Sequence, residues 1–164
     1  MQDPFEIVPA QPEDAKKLTA IAMAAKRHWG YPENWMLKWQ EMLTITPACV
    51  SANAVFKAMQ DGRLLGFYVL INTHEKLELK HMWVHPDEIS RGIGRKLMLH
   101  AIQKAAAKGH ENLEIQSDPN AEGFFIKMGA HRVGARIYKL EGSQRVLPLL
   151  YLNLPWAMEN LKNL

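Results

Sequence analysis

Leu77–Lys108 reads LELKHMWVHPDEISRGIGRKLMLHAIQKAAAK, and this stretch decides how the rest of the chain is read. It opens as an extended apolar run, breaks at His85-Pro86, and passes through Arg91-Gly92-Ile93-Gly94. From there it continues as a helix with no Asp or Glu between Arg91 and Lys108. The first N–H groups of a helix lack partners within it, and the helix dipole adds positive charge at that end, so a strand entering a glycine turn before a helix suits a phosphate. Leu97, Met98, Ala101, Ile102 and Ala105 recur at helical spacing and predict one buried stripe, and Gly109 closes the helix.

Upstream, the period changes to two from Ala54. AVFKAMQ, an Asp61-Gly62 turn and RLLGFYVLIN predict a hairpin. LELKHMWVH then makes a third consecutive strand, and short turns make the three antiparallel neighbours. Closer to the N-terminus, Phe5–Ala10 reads as a strand. Pro12-Glu13-Asp14 starts a helix running to about His28, Gly30 ends it, and Pro32-Glu33 starts a second helix to about Leu43 that Pro47 breaks. Downstream, Asn112–Gln116 reads as a strand, so strand, helix and strand form a parallel crossover. A short helix from Ala121 to about Met128, a strand from Ala130 to Leu140, a turn at Glu141-Gly142-Ser143 and a strand from Val146 to Leu154 complete the chain. Pro148 predicts an edge or bulged position in that last strand. With no repeat, linker or low-complexity tract, the expectation is one α/β domain over residues 1–164.

With 48% hydrophobic and 23% charged residues the composition is that of an ordinary globular domain. No apolar run approaches the ~20 residues that span a bilayer, and MQDPFEIVPA lacks a signal-peptide pattern. The single cysteine, Cys49, excludes an internal disulfide and suits a reducing, cytoplasmic compartment. The net charge of +3 is mild, and acids are spread through most of the chain, so nucleic acid is not an expected partner. The basic bias gathers at Arg91, Arg95, Lys96, Lys104 and Lys108, where an anionic small ligand explains it equally well. Neither a membrane nor a metal is expected.

The glycine turn fails two phosphate-loop patterns. A Walker loop needs four residues between its glycines and a following Lys-Ser/Thr. The dinucleotide fingerprint needs a third glycine where Leu97 stands. What remains is a tight turn with backbone N–H groups aimed at a pyrophosphate and with Arg91, Arg95 or Lys96 nearby. WVHPDEISRGIGRKLM, followed by SDPNAEGFFIKMGA, closely resembles the GNAT superfamily of acyl-CoA-dependent N-acetyltransferases. Its signature is Q/R-x-x-G-x-G/A at a helix start after a strand ending V-x-P, with a later helix reading N…(F/L)-Y-x-K-x-G-(F/A). The resemblance implies a mixed, mostly antiparallel sheet with flanking helices, and acetyl-CoA as cofactor. It also implies that the backbone of Met82, Trp83 and Val84 pairs with the pantetheine arm. On the same resemblance the amides of Arg91, Gly92, Ile93, Gly94, Arg95 and Lys96 are expected to hold the pyrophosphate, and Asn120, Phe124, Phe125 and Lys127 to flank the cofactor. There are three departures. Ile89 stands where Gln or Arg is expected, and Phe125 replaces a tyrosine that in many members protonates the departing thiolate. The third, Gly129-Ala130 for Gly-Phe, is mild.

Acetyl transfer requires an amine to lose a proton, since an alkylamine with a pKa of about 10 is mostly protonated at neutral pH. Two residues compete for that role. Glu78 matches the spacing of a family glutamate, and His81 titrates near neutrality without assistance. Strand alternation sets Glu78, Lys80, Met82 and Val84 on one face and Leu79, His81 and Trp83 on the other. A thiol leaves readily, so losing the tyrosine slows the reaction without abolishing it. His28, Trp29, Tyr31 and Trp35, with Trp39, suggest an aromatic acceptor wall suited to a small amine, where a cation–π contact is available. Glu33 and Glu41 are read as a solvated helix face, and Cys49 as a bystander in a loop after Pro47. The expected activity is direct transfer of acetyl to a small amine in a ternary complex. The alternative is a weak or inactive acyl-CoA-binding module. A homodimer through the strand after Arg145 is left open.

Overall fold

The computed structural model describes residues 4–164. Strand β1 (Glu6–Pro9) leads through a 3-10 turn at Pro12–Asp14 into α1 (Ala15–His28), followed by α2 (Glu33–Leu43) and α3 (Pro47–Ala52). Strands β2 (Ala54–Gln60), β3 (Arg63–Asn72) and β4 (Leu77–Val84) follow, then α4 (Ile93–Ala106) and β5 (Asn112–Gln116). Helix α5 (Glu122–Lys127), strands β6 (His131–Leu140) and β7 (Ser143–Asn153), and α6 (Leu154–Glu159) complete the order. The strands form one seven-stranded sheet in the order β1-β2-β3-β4-β5-β7-β6. It is mixed and mostly antiparallel: β1 with β2, β5 with β7 and β6 with β7 run antiparallel, and β4 pairs in parallel with β5 at Leu77↔Leu113 and Glu78↔Glu114. The expected parallel crossover through the long helix is therefore present.

Contacts divide the chain into two compact units. The first comprises residues up to Val69 with His81–Leu97, and the second comprises Leu70–Lys80 with Met98–Leu164. In the first unit Leu18, Ile21 and Ala22 of α1 and Met36, Trp39 and Leu43 of α2 are buried, as are Leu65, Phe67 and Tyr68 of β3. In the second, Leu113 and Ile115 of β5 are buried with Leu150 and Leu152 of β7 and with Leu154 of α6. Helix α4 runs through both units, and its whole predicted stripe, Leu97, Met98, Ala101, Ile102 and Ala105, has no exposure. Each large member of that stripe contributes roughly 1.5–3 kcal/mol of burial.

Both hairpin turns place two successive residues in left-handed backbone, Asp61-Gly62 (φ 49° and 76°) and Glu141-Gly142 (φ 49° and 80°), as two-residue turns between twisted strands require. Three local expectations are corrected. Pro47 opens α3 instead of only ending α2: Thr46 caps that helix, its hydroxyl accepting from the Cys49 N–H at 3.0 Å, so Cys49 lies on a helix. Pro148 is not on an edge, because β7 lies between β5 and β6. The irregularity faces it instead, where the register slips between Arg132 and Gly134 opposite Leu150 and Leu149. Finally, Leu154 does not end a strand; Asn153 caps α6, its side chain accepting from the Trp156 N–H at 2.9 Å.

Two glycines are fixed by what lies beside them. A Cβ on Gly129 (φ 100°) would stand 2.3 Å from the ring of Trp156. A Cβ on Gly66, in β3, would stand 2.7 Å from the Trp83 carbonyl oxygen and 3.2 Å from both Val84 Cα and Leu97 Cδ1. Backbone cannot yield as a side-chain tip does, so Gly66→Ala must push the end of β4. The expected result is a loss of about 1–3 kcal/mol in stability, read as a lower denaturation midpoint at unchanged m-value. A midpoint equal to wild type would show that β4 shifts without resistance.

Candidate active site

In the first unit the turn before α4 is built from a 3-10 segment, Pro86–Glu88, and two left-handed residues, Ser90 (φ 72°) and Gly92 (φ 78°). The N–H of Lys96 donates to the Gly92 carbonyl at 3.1 Å, the first helical bond of α4. The amide of Lys96 is therefore already used, whereas those of Ile93 and Gly94 precede that bond at the positive end of a 14-residue helix. A Cβ on Gly92 would meet nothing within 4 Å, so the turn leaves room for a ligand atom beside its backbone. This cradle and the exposed Arg95 fit the pyrophosphate of an acyl-CoA.

Lys96 and Arg91 are both engaged within the protein. Lys96 Nζ stands 4.8 Å over the Phe5 ring. Arg91 turns into the protein, where its Nη1 lies 2.5 Å from Glu88 Oε2 and its Nη2 donates to Gln60 Oε1 at 2.8 Å. The second oxygen of Glu88 accepts from Arg63 Nη1 at 3.1 Å. The hydrogen bond from Arg91 holds the buried Glu88 carboxyl below the usual carboxylate range, and the charges of both arginines add to it against burial. Folding thus favours the ionised form. The stabilisation is present above the ordinary carboxylate pKa and is lost as pH falls through the depressed one.

At the end of β4, Met82, Trp83 and Val84 are half-buried. His81 is buried on the side that alternation assigns with Trp83, and the Trp83 Nε1–H donates to His81 Nδ1 at 3.1 Å. In the neutral ring this bond puts the imidazole proton on Nε2. Ile89, at the position of the missing Gln or Arg, is 50% exposed.

The aromatic group is brought together only in part. Tyr31 stacks on Trp35 (5.9 Å), and both meet the Trp39 ring edge-on at 4.9 Å and 5.8 Å. Into this group α1 sends Lys26, 5% exposed, with Nζ 4.3 Å from the Trp39 ring centre and 5.0 Å from that of Tyr31. The cation these rings hold is the protein's own. His28 and Trp29 form a separate, exposed pair 6.0 Å apart, and Glu33 accepts from Arg27 at 2.9 Å.

In the second unit Glu78 is buried and Glu114 sits beside it in the parallel register. Lys76 Nζ lies 2.8 Å from Glu114 and 3.9 Å from Glu78. The hydrogen bond to Glu114, aided by the Glu78 charge, raises the Lys76 ammonium above its ordinary pKa. Two carboxylates therefore share one lysine, which is half exposed. Asn120 donates to the Asp118 carboxylate from both its backbone N–H (2.8 Å) and its side-chain amide (3.0 Å). Phe124 meets Phe125 edge-on at 5.1 Å, Phe125 is buried, and Lys127 is exposed in the last turn of α5. Cys49 Sγ takes a 3.7 Å contact from Asn53 Nδ2. Among the described residues no group of three or more His, Cys, Asp or Glu converges as a metal would need, and no helix is long and apolar enough to cross a membrane.

Several contributors escaped the sequence. Glu88 had a signal only as an acid three residues before an arginine. Gly66 had one too, as a glycine inside a strand pattern. Glu114, Gln60 and the burial of Lys26 depend on pairing across the chain and had none.

The chain belongs to the GNAT acetyltransferase family: the acetyltransferase (GNAT) domain matches residues 35–142, which include both motifs. It is an N-acetyltransferase, and acetyl-CoA is the acyl donor of that family. Peptidyl-lysine N-acetyltransferase YiaC of Escherichia coli (strain K12) is 32% identical over 107 residues, 64% of this chain and 69% of that protein. A GCN5-related N-acetyltransferase from Rhodopseudomonas palustris superposes with a TM-score of 0.76 at 22% identity, covering 93% of this chain and 98% of that one. PaiA N-acetyltransferase from Thermoplasma acidophilum, in complex with coenzyme A, gives 0.70 at 20% identity over 92% and 99%. These last two likenesses are of fold.

Replacing Lys26 with methionine keeps an apolar stem and removes the charge. Lys26→Met should lower stability by about 1–2 kcal/mol, the worth of a desolvated cation–π contact, measured by denaturant titration. A variant as stable as wild type would show that the rings hold only the stem.

Proposed function

We propose that this N-acetyltransferase moves acetyl from acetyl-CoA directly to a primary amine in a ternary complex, as one catalytic domain, with a small amine as acceptor. The observation that carries the amine is the pair Glu78 and Glu114, which already grips an alkylammonium, that of Lys76. An acceptor ammonium is the same chemical group. Glu78 is assigned as base: it takes one proton, and the nitrogen lone pair so released attacks the thioester carbonyl carbon. The bound donor supplies an acyl carbon activated by a sulfur leaving group; the C–S bond breaks as the amide forms, and the second proton shed by the nitrogen passes, directly or through water, to the departing thiolate. His81 is the weaker candidate, because its Nδ1 lone pair is already occupied by the Trp83 Nε1–H. Met82 to Val84 are assigned to the pantetheine arm by backbone pairing. The Ile93 and Gly94 amides, with Arg91, Gly92 and Arg95 around them, are assigned to the pyrophosphate. Asn120, Phe124, Phe125 and Lys127 keep the cofactor roles that the motif gives them.

A second acceptor class has its own support. The aromatic cluster expected to receive a small, flat amine holds Lys26 instead, and YiaC is named for peptidyl-lysine. A lysine side chain presents the same ammonium on a protein.

Purified protein incubated with acetyl-CoA and two panels, small primary amines and lysine-containing peptides, separates these readings by free-thiol release. Turnover is expected with small amines. Turnover confined to peptides moves the acceptor to protein lysine, and CoA binding with no turnover in either panel removes the catalytic role. Glu78→Gln should cut kcat about a hundredfold or more and abolish the acidic limb of the pH–rate profile. A profile superposable on wild type would clear Glu78 of the role. Phe125→Tyr supplies a hydroxyl where Phe125 has none. It should raise kcat where thiolate protonation limits the rate, and an unchanged kcat would place the limiting step elsewhere.

A further inference from the structure

We propose that Glu88 is the positioning residue of the phosphate turn, bolting that turn to the β2–β3 hairpin so that the cofactor meets a preformed cradle. The inference rests on the pyrophosphate assignment above. Ser90 and Gly92 flank Arg91 and both stand in left-handed backbone, a conformation that a serine adopts only when its surroundings impose it. Arg91, between them, is where that imposition acts. Its guanidinium is spread over two acceptors, Glu88 at 2.5 Å and Gln60 at 2.8 Å, and its side chain is 18% exposed. Gln60 is the last residue of β2 and Arg63 the first of β3, so the acceptor from one strand and the second guanidinium on Glu88 from the other straddle the Asp61-Gly62 turn.

Glu88 is the hub of this network. One oxygen takes Arg91 and the other takes Arg63, and the side chain is only 11% exposed. The arrangement also answers a departure in the motif. Ile89 contributes no hydrogen-bonding side chain, and it is half exposed. Arg91, the nearest cation in sequence, spends its guanidinium inward. The turn therefore contributes its backbone and its shape to an anion, and the shape is what Glu88 holds.

Four variants test this: Glu88→Gln, which keeps the outline and one acceptor oxygen, Glu88→Asp, Arg91→Met, and the double variant of Glu88→Gln with Arg91→Met. Their readouts are CoA affinity by calorimetry, KM and kcat for acetyl-CoA, and amide hydrogen exchange of residues 89–94 in the ligand-free protein. Glu88→Gln should weaken CoA binding and raise KM by about tenfold, from the loss of one charge-assisted hydrogen bond, with kcat within about twofold of wild type. Exchange in the turn should quicken by a similar factor. Because Glu88 and Arg91 act as one unit, the double variant should bind CoA no worse than the poorer single variant. Glu88→Asp, which restores the charge, should recover part of the affinity.

A wild type that binds CoA and a Glu88→Gln that binds it equally well, even with a lowered melting temperature, overturns this assignment alone. So do strictly additive losses in the double variant. A wild type that binds no CoA overturns the pyrophosphate assignment, and this one with it.

Discussion

A helix offers an anion its first few amides only if the chain in front of it turns sharply and stays turned. Here that constraint falls on Ser90 to Gly92, where two residues of three sit in left-handed backbone. Such a turn disfavours itself by a kcal/mol or more at a non-glycine position, so something outside it must keep it in place. Arg91 and the buried Glu88 do so, and they carry the constraint to the ends of β2 and β3. Gly66 adds a second condition on the same unit, because β3 and β4 approach too closely there for any side chain. The proposed cofactor face is thus a matter of backbone position, held by buried charge and by the absence of a methyl group.

The aromatic residues of the N-terminal helices show how one pattern can serve two ends. Rings spaced along α2 with a lysine on α1 look the same in sequence whether they await a foreign ammonium or enclose their own. Lys26 decides between the two by being buried with its charge over Trp39 and Tyr31. Its long stem is apolar and its head is satisfied by ring faces, so a charged residue joins the contact between the two helices. The carboxylates of β4 and β5 are the converse case. Glu78 and Glu114 hold a lysine that remains half in water, and such a pairing is easily exchanged.

Most of the fold was legible because its signals are local. The α4 stripe, the two-residue hairpin turns and the strand–helix–strand crossover follow from spacing and from turn residues. What misled was proline. Pro47 reads as a break, yet it lies in the first turn of α3, capped by Thr46. Pro148 suggested an edge, but the facing strand absorbs the mismatch with a slip near Val133. At the site, the glycines, Glu78 and the Phe125 substitution could be named from the motif. The burial of Lys26, the meeting of Glu78 with Glu114 and the reach of Arg91 to Gln60 could not, since they join positions 5 to 36 residues apart that no periodicity relates.

Gly129 belongs to the second motif, and its surroundings give a reason for it. The ring of Trp156, on α6, lies against the bare Cα, and the left-handed backbone there closes α5. The C-terminal helix is thus half of a lock whose keyhole lies in the motif. Any chimera that exchanges the motif helix between members of the family has to bring its partner at position 156 as well, or leave an indole with nowhere to go.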